Sequence, residues 1–369
     1  MQIKYTTMRI LNFVLKYSCF LLFIFWSETI SSQIVNEISV PYGMSKSLFE
    51  GTDPIKIMIA ADFDAFRKDI GEERGYHPAT LTYRTKTDEP KSVLIEIRVR
   101  GNFRRNNRVC DFPPVRLRLP KTSRDNENPF FDENKNLKLV THCRSNNANY
   151  QQFVIKEYLI YRAYNLFTEY SFRARLAEIT YIDLSGKSKI ETKYGFFIES
   201  TEEMLARIKM TELPNIVIPP YQTNQEVMAT FDMFQYMIGN TDWSTAAQHN
   251  VLLARNDNPY DAPVAIPYDF DWSGLVNAPY AVPQPDLGIP RVVDRLYRGY
   301  CRTPEEYKRV IEIFNNNRKQ LTDLFYYSEQ LNAKQLKKAL KYIDSFYKTI
   351  NSERNFKSQI EFNCLKKEQ

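Results

Sequence analysis

Glycine is scarce, at 11 residues in a chain of 369. Glycine-rich phosphate loops concentrate several glycines in one short stretch, so that count nearly excludes them. Histidine is scarcer still: His77, His142 and His249 share no metal-ligand spacing, which leaves zinc and multi-histidine dinuclear chemistry without ligands. No HExxH, GxSxG or Walker A motif occurs, so the common signatures of zinc proteases, serine hydrolases and P-loop enzymes are missing. None of the five cysteines forms a C-x-x-C pair, which argues against zinc knuckles and thioredoxin-type sites. Beyond residue 32 no apolar stretch is long enough to span a bilayer.

What is present begins with an export signal. Lys4, Arg9 and Lys16 form a basic region, Leu15–Trp26 is mostly apolar, and "SETISSQ" supplies small residues for cleavage near Ser32. The uninterrupted apolar run is shorter than a membrane anchor needs, and Cys19 lacks a convincing lipobox. Residues 1–32 therefore read as a signal peptide, and the product as exported: periplasmic, cell-surface or extracellular. Removing them leaves 47 basic against 43 acidic residues, a net +4, too mild to argue for nucleic acid. Four cysteines remain, and an even number in an exported chain permits two disulfides. Cys110 with Cys143 and Cys301 with Cys364 are favoured because each pair falls within one half of the chain.

With 24 Tyr and 24 Phe the chain has enough aromatic mass for a sizeable core. Short strands are expected at 55–62, 79–85, 93–101, 115–120 and 137–143. In the third, Ile95, Ile97 and Val99 alternate with Glu96, Arg98 and Arg100, so one face is apolar and the other charged. A helix over about 150–168 is apolar almost all round and should be buried, with Glu157 inside it. Two more strands follow, "ARLAEITYIDL" and "KYGFFIES". From "QEVMATFDMFQYMIG" onward the pattern turns helical, with Gly239 as a stop. Thr303, Pro304 and Glu306 open a later helix with a capping box, and Asn332 opens another. The expected class is α+β: a strand-rich N-terminal unit over 33–215 with one embedded helix, then a mainly helical unit over 216–369.

The polar density peaks at "GNTDWSTAAQHNVLLARNDNPYDAPVAIPYDFDWSG". Asp242 lies in the loop after a helix. Asn250 opens the apolar strand "VLLA", and Asp269 and Asp271 follow a second one. Taken singly, such residues usually make turns. Taken together they form an oxygen-rich edge of the kind Mg²⁺ or Mn²⁺ prefers, with phosphate oxygens completing the shell. Phosphoryl transfer asks for that set: an Asp for the acceptor's proton, an Asn and an Asp for metal, and a Lys steadied by a helix Glu for the phosphates. His249 reads as a structural hydrogen-bonder. The run "RVRGNFRRNNR" packs Arg98, Arg100, Arg104, Arg105 and Arg108 around one glycine and suits phosphate, an acidic polymer or a solvated hairpin equally.

The order "RVRGN", "VRLRL", buried helix, "YGFFIES", then "YMIGNTDWS…HNVLL…PYDFDWSG" resembles the spore-coat CotH kinase family over roughly residues 90–300. That resemblance implies a secreted atypical kinase with a two-lobed protein-kinase-like fold, using ATP with Mg or Mn on an unidentified phosphoacceptor. It implies Asp242 as the catalytic aspartate. Asn250 and Asp269 would be metal ligands, with Asp271 a second or alternative one. Arg100 would lie near the nucleotide phosphates, Glu157 would orient the phosphate-binding lysine, and Glu199 would lie near the adenine. Two features depart from the family. Arg116 and Arg118 stand where relatives carry lysine, which leaves Lys138 as the nearest substitute. The Asp-to-Asn spacing of eight is longer than in ordinary kinases. The alternatives are an inactive pseudokinase-type binding protein at the surface or in the periplasm, and a metallophosphoesterase, for which "GNTD" is a loose match but the histidines are too few.

Overall fold

A computed structural model describes residues 48–85, 88–120, 130, 136–214 and 216–366. The signal-peptide reading of 1–32 lies outside them. Seven strands form one sheet: β1 (Ile55–Ala61), β2 (His77–Arg84), β3 (Pro90–Val99), β4 (Val115–Arg118), β5 (Asn136–Val140), β6 (Ala174–Asp183) and β7 (Glu191–Ile198). Their order is β1-β2-β3-β4-β5-β7-β6, and β6 pairs in parallel with β1 to close a barrel. The alternation seen in sequence fills it. Ile95, Ile97 and Val99 of β3 point inward with Val115 and Leu117 of β4, Leu137 and Leu139 of β5, and Phe197 of β7.

Helix α1 (Phe63–Lys68) seats Phe63 and Phe66 against this core. Helix α2 (Ala148–Tyr164) lies outside the barrel, buried on nearly every side, and packs on β6 and β7. The short α3 (Thr201–Ile208) has a Ser200 capping box. Beyond it, β8 (Thr211–Glu212), β9 (Val251–Arg255) and β10 (Val264–Pro267) form a separate sheet in the order β10-β9-β8. Four helices complete the described chain: α4 (Gln225–Ile238), α5 (Pro304–Tyr326), α6 (Ala333–Ile350) and α7 (Glu353–Gln359). Gly239 ends α4 with φ of 65°, a left-handed cap that glycine adopts without strain. Thr303 and Asn332 cap α5 and α6 as their sequences indicate.

The expected two-lobed protein-kinase-like fold, with a mainly helical C-terminal lobe, is corrected by this architecture. The strand-rich half is a closed seven-stranded barrel. The later half carries its own three-stranded sheet. One hydrophobic cluster also runs from Leu176 and Phe196 on the barrel, through Ile155 and Tyr161 of α2, to Phe234, Phe314 and Phe346 of α4–α6. Side-chain alternation tells which face of a strand is buried but not which distant strand it pairs with, so closure is invisible in the pattern. Both expected disulfides are present, Cys110–Cys143 and Cys301–Cys364. No helix among the described residues is long and apolar enough to cross a membrane.

Lys156 on α2 is 3% exposed. Its ammonium donates to the Val276 carbonyl and lies 5.2 Å from the Phe153 ring centre. Burial, aided by the charge of Lys338, lowers its pKa to about 7. The unfolded chain holds this proton up to roughly pH 10.4. Between those values the unfolded state binds more protons, so stability rises with pH across that window. Lys156→Met is expected to stabilise the protein by about 1–3 kcal/mol at pH 6, with the gain shrinking toward pH 10. Urea denaturation of both proteins at the two pH values checks this; a gain independent of pH would place the effect in packing instead.

Candidate functional site

The outer face of the barrel presents Lys138 from β5, and Arg100 from the residue just after β3. The register sets Lys138 directly opposite Arg116. Neither Lys138 nor Arg100 has an ion-pair partner among the described residues. Burial lowers the pKa of both. Arg100 and Arg116 add to the effect at Lys138, where Glu202 and Glu212 oppose it, and Arg104 adds to it at Arg100, where Asp269 and Glu157 oppose it. Arg100 keeps its charge regardless.

After Gly101, whose φ is 80°, the chain turns back over the face. The disulfide from Cys110 to Cys143 and the Phe112–Cys143 bridge hold this turn. It delivers Arg104 inward. That guanidinium meets Glu157 of α2 at 3.2 Å, Asp269 at 3.2 Å and Asp271 at 3.4 Å. Three carboxylates thus share one cation. Burial raises Glu157 to about 7 against the pull of Arg104 and raises Asp271 well above the carboxylate range. Burial works to lower the Arg104 pKa, but Asp271 and Glu157 outweigh it and raise it. The Tyr280 hydroxyl also donates to Asp271, at 2.9 Å.

The Asp242 loop follows the α4 cap. Asn240 accepts from the Asp242 amide at 3.1 Å and donates to Gln235 at 3.0 Å, fixing the loop's first turn. Ser244 and His249 then pair as an isolated bridge. The hairpin between them absorbs the long Asp-to-Asn spacing and returns Asn250 to Asp242. The Asn250 amide donates to the Asp242 backbone oxygen at 2.8 Å and to its carboxylate at 3.0 Å. His249 Nε2 lies 3.0 Å from the other carboxylate oxygen. Across the ladder end, the Tyr268 amide donates to the Asn250 carbonyl at 3.0 Å, and the Asp269 amide donates to the Tyr161 hydroxyl at 2.8 Å. Gln248, Asn250 and Asp269 all have left-handed φ, at 47°, 52° and 61°. Such backbone strain gathers at functional sites.

These elements enclose a cavity of about 220 Å³, lined by Arg100, Arg104, Lys138, Glu157 and Asp269, with Tyr161, Phe172 and Tyr268 as aromatic walls. Of the residues named from sequence, Arg100, Lys138, Glu157 and Asp269 line this cavity. Asp271 sits beneath Arg104, and Asn250 and Asp242 form a hydrogen-bonded chain beside the lining residues Gln248 and Val251. Glu199 is not itself a lining residue, although Ile198 and Thr201 on either side of it are. Arg207 donates to both its oxygens, at 2.9 and 2.8 Å, and the Arg173 amide adds a third bond at 2.9 Å, so it ties α3 to the barrel. Sequence reasoning missed Arg104 as the centre of the site, and missed Tyr280 and Tyr161 as its supports.

No group of three or more His, Cys, Asp or Glu among the described residues is arranged to hold a metal by itself. Asp269, with its side chain 44% exposed, and Asn250 at the same ladder end fit a divalent cation carried in on phosphates, which needs one or two protein ligands. Asp271 fits less well, being buried and engaged by Tyr280 and Arg104. No protein-family model matches the chain, and no curated protein matches it.

Proposed function

We propose that the chain is an exported phosphotransferase related to the CotH kinases, transferring the γ-phosphoryl group of ATP to an acceptor hydroxyl. One observation carries this reading: Arg100 and Lys138, two cations that form no ion pair among the described residues, line the same cavity as Asp269, with Asp242 and Asn250 at its side. Partly buried cations without partners are costly unless a ligand brings the anion, and phosphates suit both lysine and arginine. In the reaction, the acceptor oxygen forms a bond to the γ-phosphorus. The bond from that phosphorus to the β–γ bridging oxygen breaks, and ADP leaves with the electron pair. The acceptor's proton passes to the Asp242 carboxylate. Lys138 and Arg100 hold the phosphates, and Glu157 with Arg104 fixes the wall they rest against. A Mg²⁺ or Mn²⁺ held through Asp269 and Asn250 would neutralise phosphate charge. The two disulfides support an oxidising compartment, as export requires.

A second reading, a non-catalytic nucleotide-binding protein at the surface or in the periplasm, draws on Arg104, which engages Glu157, Asp269 and Asp271 together and so competes with a metal for them.

Excess ATP with Mg²⁺ or Mn²⁺ is expected to raise the melting temperature by about 5 °C or more, the size produced by a ligand near a hundred times its Kd. Asp269→Ala should abolish the metal-dependent part. No shift with either metal would remove nucleotide from this cavity.

A further inference from the structure

The outer face of β3, β4 and β5 carries more positive charge than the cavity uses. Arg98 stands directly opposite Arg116, and Arg116 directly opposite Lys138. Like charges facing one another across strands are destabilising, yet here three occur in one row. The neighbouring rung shows the ordinary solution, since Glu96 faces Arg118 and the two form an ion pair. The row lacks any such relief: among the described residues neither Arg98 nor Arg116 has an acidic partner. The buried Nε atoms of Arg98, Arg100 and Arg116 have no hydrogen-bond partner among the described residues. Arg98 lies over the Tyr76 ring at 5.0 Å, which steadies its guanidinium without neutralising it. Arg74 adds a further cation nearby, donating to the Gly101 carbonyl at 3.0 Å. Lys138 and Arg100 belong both to this face and to the cavity wall, so the row starts inside the cavity and runs out of it over two interstrand steps, about 10 Å.

We propose that this face is a second anion subsite, continuous with the cavity, which takes a further run of phosphate groups, so that the protein's ligand is a polyphosphate chain longer than the cavity alone holds. The inference rests on the reading of the cavity as a phosphate site. At about 220 Å³ the cavity is smaller than the roughly 300–1,000 Å³ usual for a whole ligand. A ligand of that usual size extends beyond it, and the cationic row is a polar path outward. Guanidinium forks hold phosphate oxygens in pairs, and a bound polyanion would remove the repulsion that the empty row sustains.

The test is calorimetric titration of the full chain with pyrophosphate, tripolyphosphate and a longer inorganic polyphosphate. Affinity per molecule is expected to rise about tenfold or more from tripolyphosphate to the longer chain. In Arg98→Gln/Arg116→Gln that rise should fall below about threefold, while ATP affinity changes little. The unliganded double variant should melt at or above the wild-type temperature, because a repulsion has been removed; this readout also shows that it folds. Arg98→Lys/Arg116→Lys should keep part of the rise. Lys337→Gln/Lys341→Gln, on the exposed face of α6, makes the same charge change elsewhere and should keep all of it. A rise that survives in Arg98→Gln/Arg116→Gln, or that the α6 control loses equally, overturns the subsite. ATP binding without any chain-length dependence sinks this inference alone. Chain-length dependence without ATP binding sinks the ATP reading and leaves the subsite standing. Tripolyphosphate titrated into ATP-saturated protein should displace ATP, because both occupy the cavity; additional binding without displacement would overturn the continuity of row and cavity.

Discussion

Replacing Arg104 by methionine is expected to destabilise the protein by about 3–5 kcal/mol, the cost of leaving a buried ionic partner uncompensated. The guanidinium is 10% exposed, and its partners Glu157 and Asp271 are 2% and 7% exposed. Methionine fills much of the same volume, so packing loss is a minor part of the effect. What remains is a pair of buried carboxyl groups beside a third, Asp269, with the shared cation gone. Adding Glu157→Gln to the Arg104→Met background should recover about half of the loss, because one uncompensated charge is removed. Arg104→Lys should recover less, since an ammonium cannot present a planar fork to three carboxylates at once. Urea denaturation of the four proteins measures all of this. A loss below about 1 kcal/mol, the size of a surface pair, would mean that the carboxyl groups are relieved by protons or solvent, and that Arg104 does not organise the site.

Arg104 also marks where reading the sequence runs out. It is one of five arginines in "RVRGNFRRNNR", and nothing local tells which turns inward; the choice is made by the turn after Gly101 and by the Cys110–Cys143 tether. Asp242, Asn250 and Asp269 were legible because each stands at the end of a recognisable element: the α4 cap, the start of β9 and the end of β10. Glu157 stood out as a carboxylate inside a helix that is apolar almost all round, and the resemblance gave it a lysine to orient; its partner is instead Arg104 of the arginine turn. Glu199 misled. Its sequence position at a strand end points to the cavity, but Arg207, in the last turn of the helix that Ser200 caps, claims both its oxygens. Barrel closure depends on Ile57 meeting Ile179 across the whole N-terminal half. Strand β6 is buried along nearly its full length because the barrel core covers one face and α2 the other. Such a strand reads as apolar without showing which neighbour it pairs with.

Asp242→Asn is expected to keep the ATP-dependent rise in melting temperature and to slow ADP formation by about 10²- to 10⁴-fold, the range for removal of a general base. Water serves as the acceptor in this assay, so no partner need be known. The substitution preserves shape, and the Asn250 bond to the residue 242 backbone oxygen at 2.8 Å is untouched, so the hairpin should hold its place. What is lost is the carboxylate that would take the acceptor's proton. His249, 53% exposed and 3.0 Å from that carboxylate, touches Asp242 but not the cavity. His249→Gln should therefore cost less than about tenfold. Equal ADP formation by Asp242→Asn and wild type would remove Asp242 from the chemistry and direct attention to Asp269, a half-exposed carboxylate that lines the cavity. ATP binding by the wild type with no ADP formed in either metal would decide for the non-catalytic reading: Arg104 would then hold Glu157, Asp269 and Asp271 closed against a metal, and the cations of the cavity would serve binding alone.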